Sequence, residues 1–235
     1  MISSIPKFDA SRADEYEQQS HIALAGYQAC HELCTCMLAA TLGNGTQARV
    51  LVVGAGGTAQ EIVTAGKLEP GWQFTAVDPS KPMLDLAASK LHEQGLLSRT
   101  HVHLGTVDDL SPHERFDAAT LIGVLHHLPG DGAKHAILRS IADRLSSGAP
   151  LVVAGNYYAY ASQPLLLAAW KQRWRMNGAS PQDVESKLAK ILEGADPPHS
   201  ETAVALLLEQ AGFEAPHRFF SSLFWGAWLS HRSKA

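Results

Sequence analysis

Cysteine is scarce in this chain, with three residues in 235, all in one short stretch at Cys30, Cys34 and Cys36. An odd, clustered set gives no disulfide framework, and a reducing cytoplasm is the expected setting. Charge is also sparse: 18% of residues are Asp, Glu, Lys or Arg, and the net charge is -4. That balance argues against broad, nonspecific attraction to nucleic acid or to an anionic membrane, and leaves room for a local basic patch. No apolar run approaches the ~20 residues that span a bilayer. The opening "MISSIPKFDA" lacks the basic-then-apolar pattern of a leader. Internal repeats and low-complexity tracts are absent as well. Hydrophobic residues, by contrast, make up 46%, enough for a full core, and the length suits one large domain.

The cysteine stretch "CHELCTC" has metal-ligating residue types, Cys30, His31, Cys34 and Cys36, inside the helix-like run "HIALAGYQACHELCTCMLAATL". On a helix, Cys30 and Cys34 share a face, whereas Cys36 points ~160° away from Cys34. No second ligand pair follows at zinc-finger spacing. Buried thiols packing as small hydrophobes are therefore expected, and no metal.

Residues 8–42 read as two helical pieces that break at Gly26, followed by the loop "GNGTQ". From Arg49 the pattern alternates strand and helix. The strands are "RVLVV", "WQFTAVD", "THVHLG", "FDAATLIG" and "APLVVAG". In "KPMLDLAASKLHEQG", Met83, Leu84, Ala87, Ala88 and Leu91 recur at helical spacing. Short apolar strands alternating with helices predict a mostly parallel sheet covered on both faces. The alternation then stops. Residues 160–193 read as helical, "SETAVALLLEQAGF" as one more helix, and "PHRFFSS" and "LFWGAWLS" as a closing antiparallel pair.

The first strand runs into "GAGGTA", which fits G-x-G-x-x-G/A with Gly54, Ala55 and Gly56 leading and Ala59 last. Asp78 ends the second strand, where a carboxylate suits a ribose diol. These two features serve nicotinamide enzymes and S-adenosylmethionine enzymes alike, and the turn can also form with no ligand. The five strands, the aromatic hairpin after them, the helical segment before them, "PSKPMLDLAASKL" after Asp78 and "VLHHLPGDGAK" after the fourth strand separate the possibilities. Together they resemble the class I S-adenosylmethionine-dependent methyltransferases.

The resemblance implies a Rossmann-like, seven-stranded, mostly parallel sheet with the last strand antiparallel, helices on both faces and a helical lid. It divides a single 1–235 domain into an N-terminal helical cap (1–47), a cofactor-binding core (48–155), a lid insertion (156–200) and a last helix with hairpin (201–235). It implies S-adenosyl-L-methionine as cofactor, with Gly54 and Gly56 in the turn, Asp78 on the ribose, Pro79 beside the adenine, and Met83 nearby. Ile122 and Gly123 would flank the methionyl part. Two positions depart from the family's pattern: Val52 stands where Asp is usual, and Thr106 replaces an adenine-contacting Asp. The Thr106 hydroxyl can still donate or accept, and Val107 offers its backbone amide. Asp108 and Asp109 are expected to cap the loop. His126 and His127 are expected to pack structurally, with His127 kept as a weak base candidate.

The two ends, "FDASRADEY...ALAGYQACHEL" and "WKQRWRMNGASPQDVESKLAKIL...LLEQAGFEAPHRFFSSLFWGAWL", are similar to the branch containing the tRNA wobble-uridine carboxymethyltransferase. That similarity implies that Tyr27 closes over the cofactor carboxylate and that Arg175 reads the extra carboxylate of a carboxylated cofactor. The lid aromatics, Tyr157, Tyr158, Tyr160, Trp170 and Trp174, suit a small apolar or aromatic acceptor, and equally an ordinary core or a homodimer interface. The leading expectation is methyl transfer to a small molecule, without a membrane. The alternatives are tRNA wobble-uridine modification and a non-catalytic scaffold with a degenerate site.

Overall fold

The computed structural model describes residues 13–234. Helix α1 (Ala13–Ala23) and helix α2 (Tyr27–Leu42) meet at Gly26, whose left-handed backbone (φ 83°) turns the chain between them. Strand β1 (Arg49–Val53) follows, then α3 (Gln60–Leu68), β2 (Gln73–Asp78), α4 (Lys81–Glu93), β3 (Thr100–Leu104), β4 (Ala118–Ile122), α5 (Gly130–Arg144) and β5 (Pro150–Asn156). The segment expected to form a lid contributes α6 (Pro164–Met176) and α7 (Pro181–Gly194); α8 (Glu201–Gln210), β6 (His217–Ser222) and β7 (Trp225–His231) follow.

The seven strands form one sheet in the order β3-β2-β1-β4-β5-β7-β6. Strands β1 to β5 pair parallel, and β7 runs antiparallel to both of its neighbours. The strand order reverses between β1 and β4, a switch point that opens a crevice at the carboxyl ends of the strands.

Parallel strands must bury both faces, and alternate residues do so here. Val50, Val52, Ala118 and Val152 face one core with Cys30, Cys34 and Leu38 of α2 and Ile62 of α3. Leu51, Val53, Leu121 and Val153 face the other, against Leu138 and Ile141 of α5 and Leu207 and Leu208 of α8. Cys36 is exposed, so the cysteines divide between core and surface as the helical phase requires.

The lid has cores of its own. Tyr160, Trp170, Leu188 and Phe224 form one cluster; Ile22, Trp174 and Val184 form another that ties the lid to α1. The stretch read as continuous helix over 160–193 is interrupted at Asn177 and Gly178, the latter with φ 89°. Ser180 restarts the helix with a capping box to Asp183, and Pro181 sits in the first turn. The β6–β7 hairpin turns at Leu223, a non-glycine residue with φ 51°, and drives Phe224 fully into the lid core. No helix among the described residues is long and apolar enough to cross a membrane.

Candidate active site

The glycine turn rests on β2. The Gly54 and Ala55 N–H groups both donate to the Val77 carbonyl, at 2.8 and 3.2 Å, and the Gly57 N–H donates to Met83 O at 2.8 Å. A Cβ on Gly54, whose φ is 74°, would lie 2.3 Å from Val124 Cγ2. A Cβ on Gly56 would lie 2.5 Å from Met83 Cβ and 2.7 Å from Asp78 Oδ2. These glycines thus make room first for the protein's own side chains.

Asp78 is fixed by the same contacts. Its Oδ2 accepts the Gly56 N–H at 3.0 Å, and its Oδ1 accepts the Ser80 N–H at 2.8 Å. Burial raises its pKa, while the two N–H donors oppose that rise. A carboxylate offers about four lone-pair sites, so two remain for a diol at the crevice. The side chain therefore fits the ribose-binding role.

Tyr27 reaches the turn from α2. Its hydroxyl lies 2.8 Å from Thr58 Oγ1, and its ring packs against His21 and His31 at 4.1 and 4.5 Å. His31 is buried, and desolvation with a smaller repulsion from His21 lowers its pKa to about 4. Below the turn, a small cavity is lined by Val52, Glu61, Thr35, Cys34 and Thr120, among others. An acidic side chain therefore does stand beside Val52, contributed by α3. Burial pushes the Glu61 carboxyl up to about 7, against a smaller opposing effect of its own backbone N–H.

On the far side of β2, Thr106 donates through both N–H and Oγ1 to Asp109 Oδ2, at 2.7 and 2.9 Å. That capping box holds Asp109 below the usual carboxylate range and commits the Thr106 hydroxyl proton locally. Val107 is buried at the start of the resulting 3-10 turn, and Pro79 is exposed at the end of β2.

After β4, Gly123 takes φ 76° and donates to Ala154 O at 2.8 Å. Ile122, just before it, is buried at the end of β4. Leu125–His127 form a 3-10 turn, so the two histidine rings lie 4.2 Å apart rather than splayed as on an α-helix. His126 is the buried member. Desolvation, then His127 and Lys134, place its pKa well below the ordinary value, so it is neutral. His127 is half-buried.

This loop is stapled to the lid's exit. Asp196 N–H donates to His126 O at 2.8 Å, and Asp196 Oδ2 accepts from Gly130 N–H at 2.6 Å and from Lys134 Nζ at 3.1 Å. Lys134, 1% exposed, also donates to Leu128 O and Gly130 O, so its three protons have three acceptors.

The lid residues disperse. Tyr157 is buried in the sheet-side core against Trp228, and its hydroxyl accepts from Arg218 at 3.2 Å. Tyr158 is half-buried beside it. Trp170 stacks on Tyr160 and donates to Ala23 O at 2.8 Å, which makes it a lid-core residue. Arg175 is exposed on α6 and donates to Gln172 at 2.8 Å; the structure does not bring it to the glycine turn. Sequence reasoning missed Val124, Glu61, Asp196 and Asn156 as neighbours of the crevice. Only Glu61 carried a local signal, as an acidic residue in the first turn of a helix behind the glycines.

The fold is the Rossmann-like fold of methyltransferases, and residues 51–151 match the family model described as a methyltransferase domain. No curated protein matches the chain in sequence. Among solved structures, the chain is similar to an inferred O-methyltransferase from Nostoc punctiforme, with TM-score 0.66 and 14% identity over 94% of this chain and 59% of that one. Human N-acetylserotonin methyltransferase in complex with S-adenosylmethionine gives TM-score 0.66 and 15% identity over 96% of this chain and 57% of the human one. An inferred sarcosine dimethylglycine methyltransferase from Galdieria sulphuraria gives 0.67 and 14% over 94% of this chain and 98% of that one. The chain thus spans under two thirds of the first two proteins and nearly all of the third.

Proposed function

We propose that the chain is an S-adenosylmethionine-dependent methyltransferase acting on a small-molecule acceptor. One observation carries this: Asp78 is locked by Gly56 and Ser80 at the carboxyl end of β2, beside the switch point, with lone pairs left for a ribose diol. The methyltransferase-domain match across the same residues supports it. Gly54, Ala55 and Gly56 set the turn, Met83 packs beneath it, and Tyr27 stands over its far end through Thr58. Val107 and Ile122–Gly123 would border the adenine and methionyl ends.

When bound, the cofactor supplies a methyl group already activated on a sulfonium. The chain's task is then orientation, for which pre-positioning is worth roughly 7–11 kcal/mol. The post-β4 loop, held by the Asp196 staple, would fix one wall against which an acceptor lies in line. Neutral His126 lies in that loop, and a base is needed only for an acceptor that keeps its proton at working pH.

A carboxylated cofactor would call for a cation at its extra carboxylate. Arg175, the residue expected there, is exposed on α6 and bound to Gln172, so plain S-adenosylmethionine is favoured. Calorimetry with S-adenosylmethionine and its demethylated product tests the proposal. Both should bind the native chain, and Asp78→Lys should abolish binding. No binding to the native chain would overturn it.

A further inference from the structure

At the carboxyl ends of β4 and β5, three buried polar atoms have no hydrogen-bond partner: His126 Nδ1, Asn156 Oδ1 and Trp225 Nε1. They belong to one neighbourhood. Asn156 and Trp225 are the final cross-strand pair of the β5–β7 ladder, so their side chains leave the same face of the sheet. The His126 and Trp225 rings meet edge to face with centroids 5.4 Å apart. His126 Nδ1 itself lies 3.0 Å from where a Cβ on Gly155 would stand, on the face opposite to Asn156, so His126 meets the pair through its ring alone; the Trp225 ring lies 3.6 Å from the corresponding position on Gly123.

A buried polar atom with no partner is costly, and Asn156 Oδ1 and Trp225 Nε1, side by side on one face of the sheet, call for a shared partner. Asn156 is oriented for the purpose: its Nδ2 donates to Tyr160 Oη at 2.7 Å, which leaves Oδ1 as the unused end. Trp225 is only half-buried, so the cluster lies one side chain from solvent.

We infer that Asn156 and Trp225, with the His126 ring as a neighbouring wall, form an acceptor-recognition subsite for an uncharged hydroxyl or a like neutral group that both donates and accepts. This rests on the methyltransferase proposal. The indole N–H can only donate and the amide oxygen can only accept, so one hydroxyl satisfies both. A carboxylate would meet the Asn156 oxygen with like polarity, and no cationic side chain is among the three. The flat Trp225 face favours a ring carrying that hydroxyl.

The test compares phenol, anisole and benzoate by ligand-observed NMR on the full chain saturated with S-adenosylhomocysteine. Phenol donates and accepts, anisole only accepts, and benzoate is an anion. Phenol should bind about three- to tenfold better than anisole, as one net hydrogen bond allows, and benzoate weakest. Asn156→Leu and, as the milder change, Trp225→Phe should each bring phenol and anisole close to parity while S-adenosylhomocysteine affinity stays within twofold. Equal binding of phenol and anisole to the native chain, no phenol signal, a benzoate preference, or a phenol preference surviving in both variants would each overturn the subsite. Loss of S-adenosylhomocysteine binding by the native chain would instead overturn the methyltransferase proposal, and the subsite with it.

Discussion

The two halves of the crevice are built in opposite ways. On the β1–β2 side the turn is closed on itself: the N–H groups of Gly54, Ala55, Gly56 and Gly57 all have protein acceptors, and the spaces beside Gly54 and Gly56 are taken by Val124, Met83 and Asp78. On the β5–β7 side, the buried Asn156 Oδ1 acceptor and Trp225 Nε1 donor leave one face of the sheet without partners. The first half spends its hydrogen bonds on holding one shape. The second keeps its polar atoms uncommitted, which costs stability and leaves selectivity. On the proposed function, the first half would hold the cofactor and the second the acceptor, and variation in such a site is how one fold serves many chemistries.

The comparison is broken most severely from the closed side. Gly54→Ala adds left-handed strain of about 1–2 kcal/mol to overpacking against Val124 of about 1–3 kcal/mol. Urea unfolding should show a loss of about 2–5 kcal/mol, with cofactor binding lost as well. Asp78→Ala removes the acceptor of two N–H groups and should cost about 1–3 kcal/mol. Calorimetry should show S-adenosylhomocysteine affinity falling at least tenfold, whereas Asn156→Leu should leave that affinity in place.

Asp196→Ala loosens the staple between lid and post-β4 loop. Lys134 keeps two carbonyl acceptors, so the expected loss is about 1–2 kcal/mol, read by thermal unfolding. Burial raises the Asp196 pKa, but Gly130 and Lys134 outweigh it and leave the group depressed. A depressed carboxyl stabilises above its unfolded pKa, and that stability is lost as pH falls through the folded value. Acid titration should therefore weaken the native chain more than Asp196→Ala.

Glu61 shows the opposite sign. Its folded pKa is raised from 4.5 to about 7, so the folded state holds a proton that the unfolded state has lost. Its contribution is full below pH 4.5 and falls as pH rises to about 7. Glu61→Gln should flatten the stability profile in that window; an unchanged slope would remove Glu61 as its source.

The sheet was legible because both signals that define it are local. Apolar strands such as "RVLVV" and "APLVV" carry their own period, and helices of matching length separate them. The glycine turn and Asp78 were legible for the same reason, since each closes a strand. The break at Gly178 was equally local, with Asn-Gly before Ser180 and Asp183, yet the apolar spacing across it reads as one helix. The β5–β7 cluster was illegible for a different cause. Asn156 and Trp225 meet only through the register of an antiparallel pairing between distant segments, and no spacing in the sequence encodes that. The same holds for Asp196, whose value lies in reaching Lys134 and Gly130 across the fold. Lid aromatics were visible as a group, but Trp170 and Tyr157 separate into different cores only once the hairpin is in place.

The turn at Leu223 has a consequence for biosynthesis. Phe224, which it seats, packs with Tyr160 and Trp170, and β7 covers the flank of β5. Both follow the lid in order of synthesis. A nascent chain emerging only as far as α7 would hold an uncovered strand edge and aromatic rings with no seat, the species most exposed to aggregation and to chaperone capture.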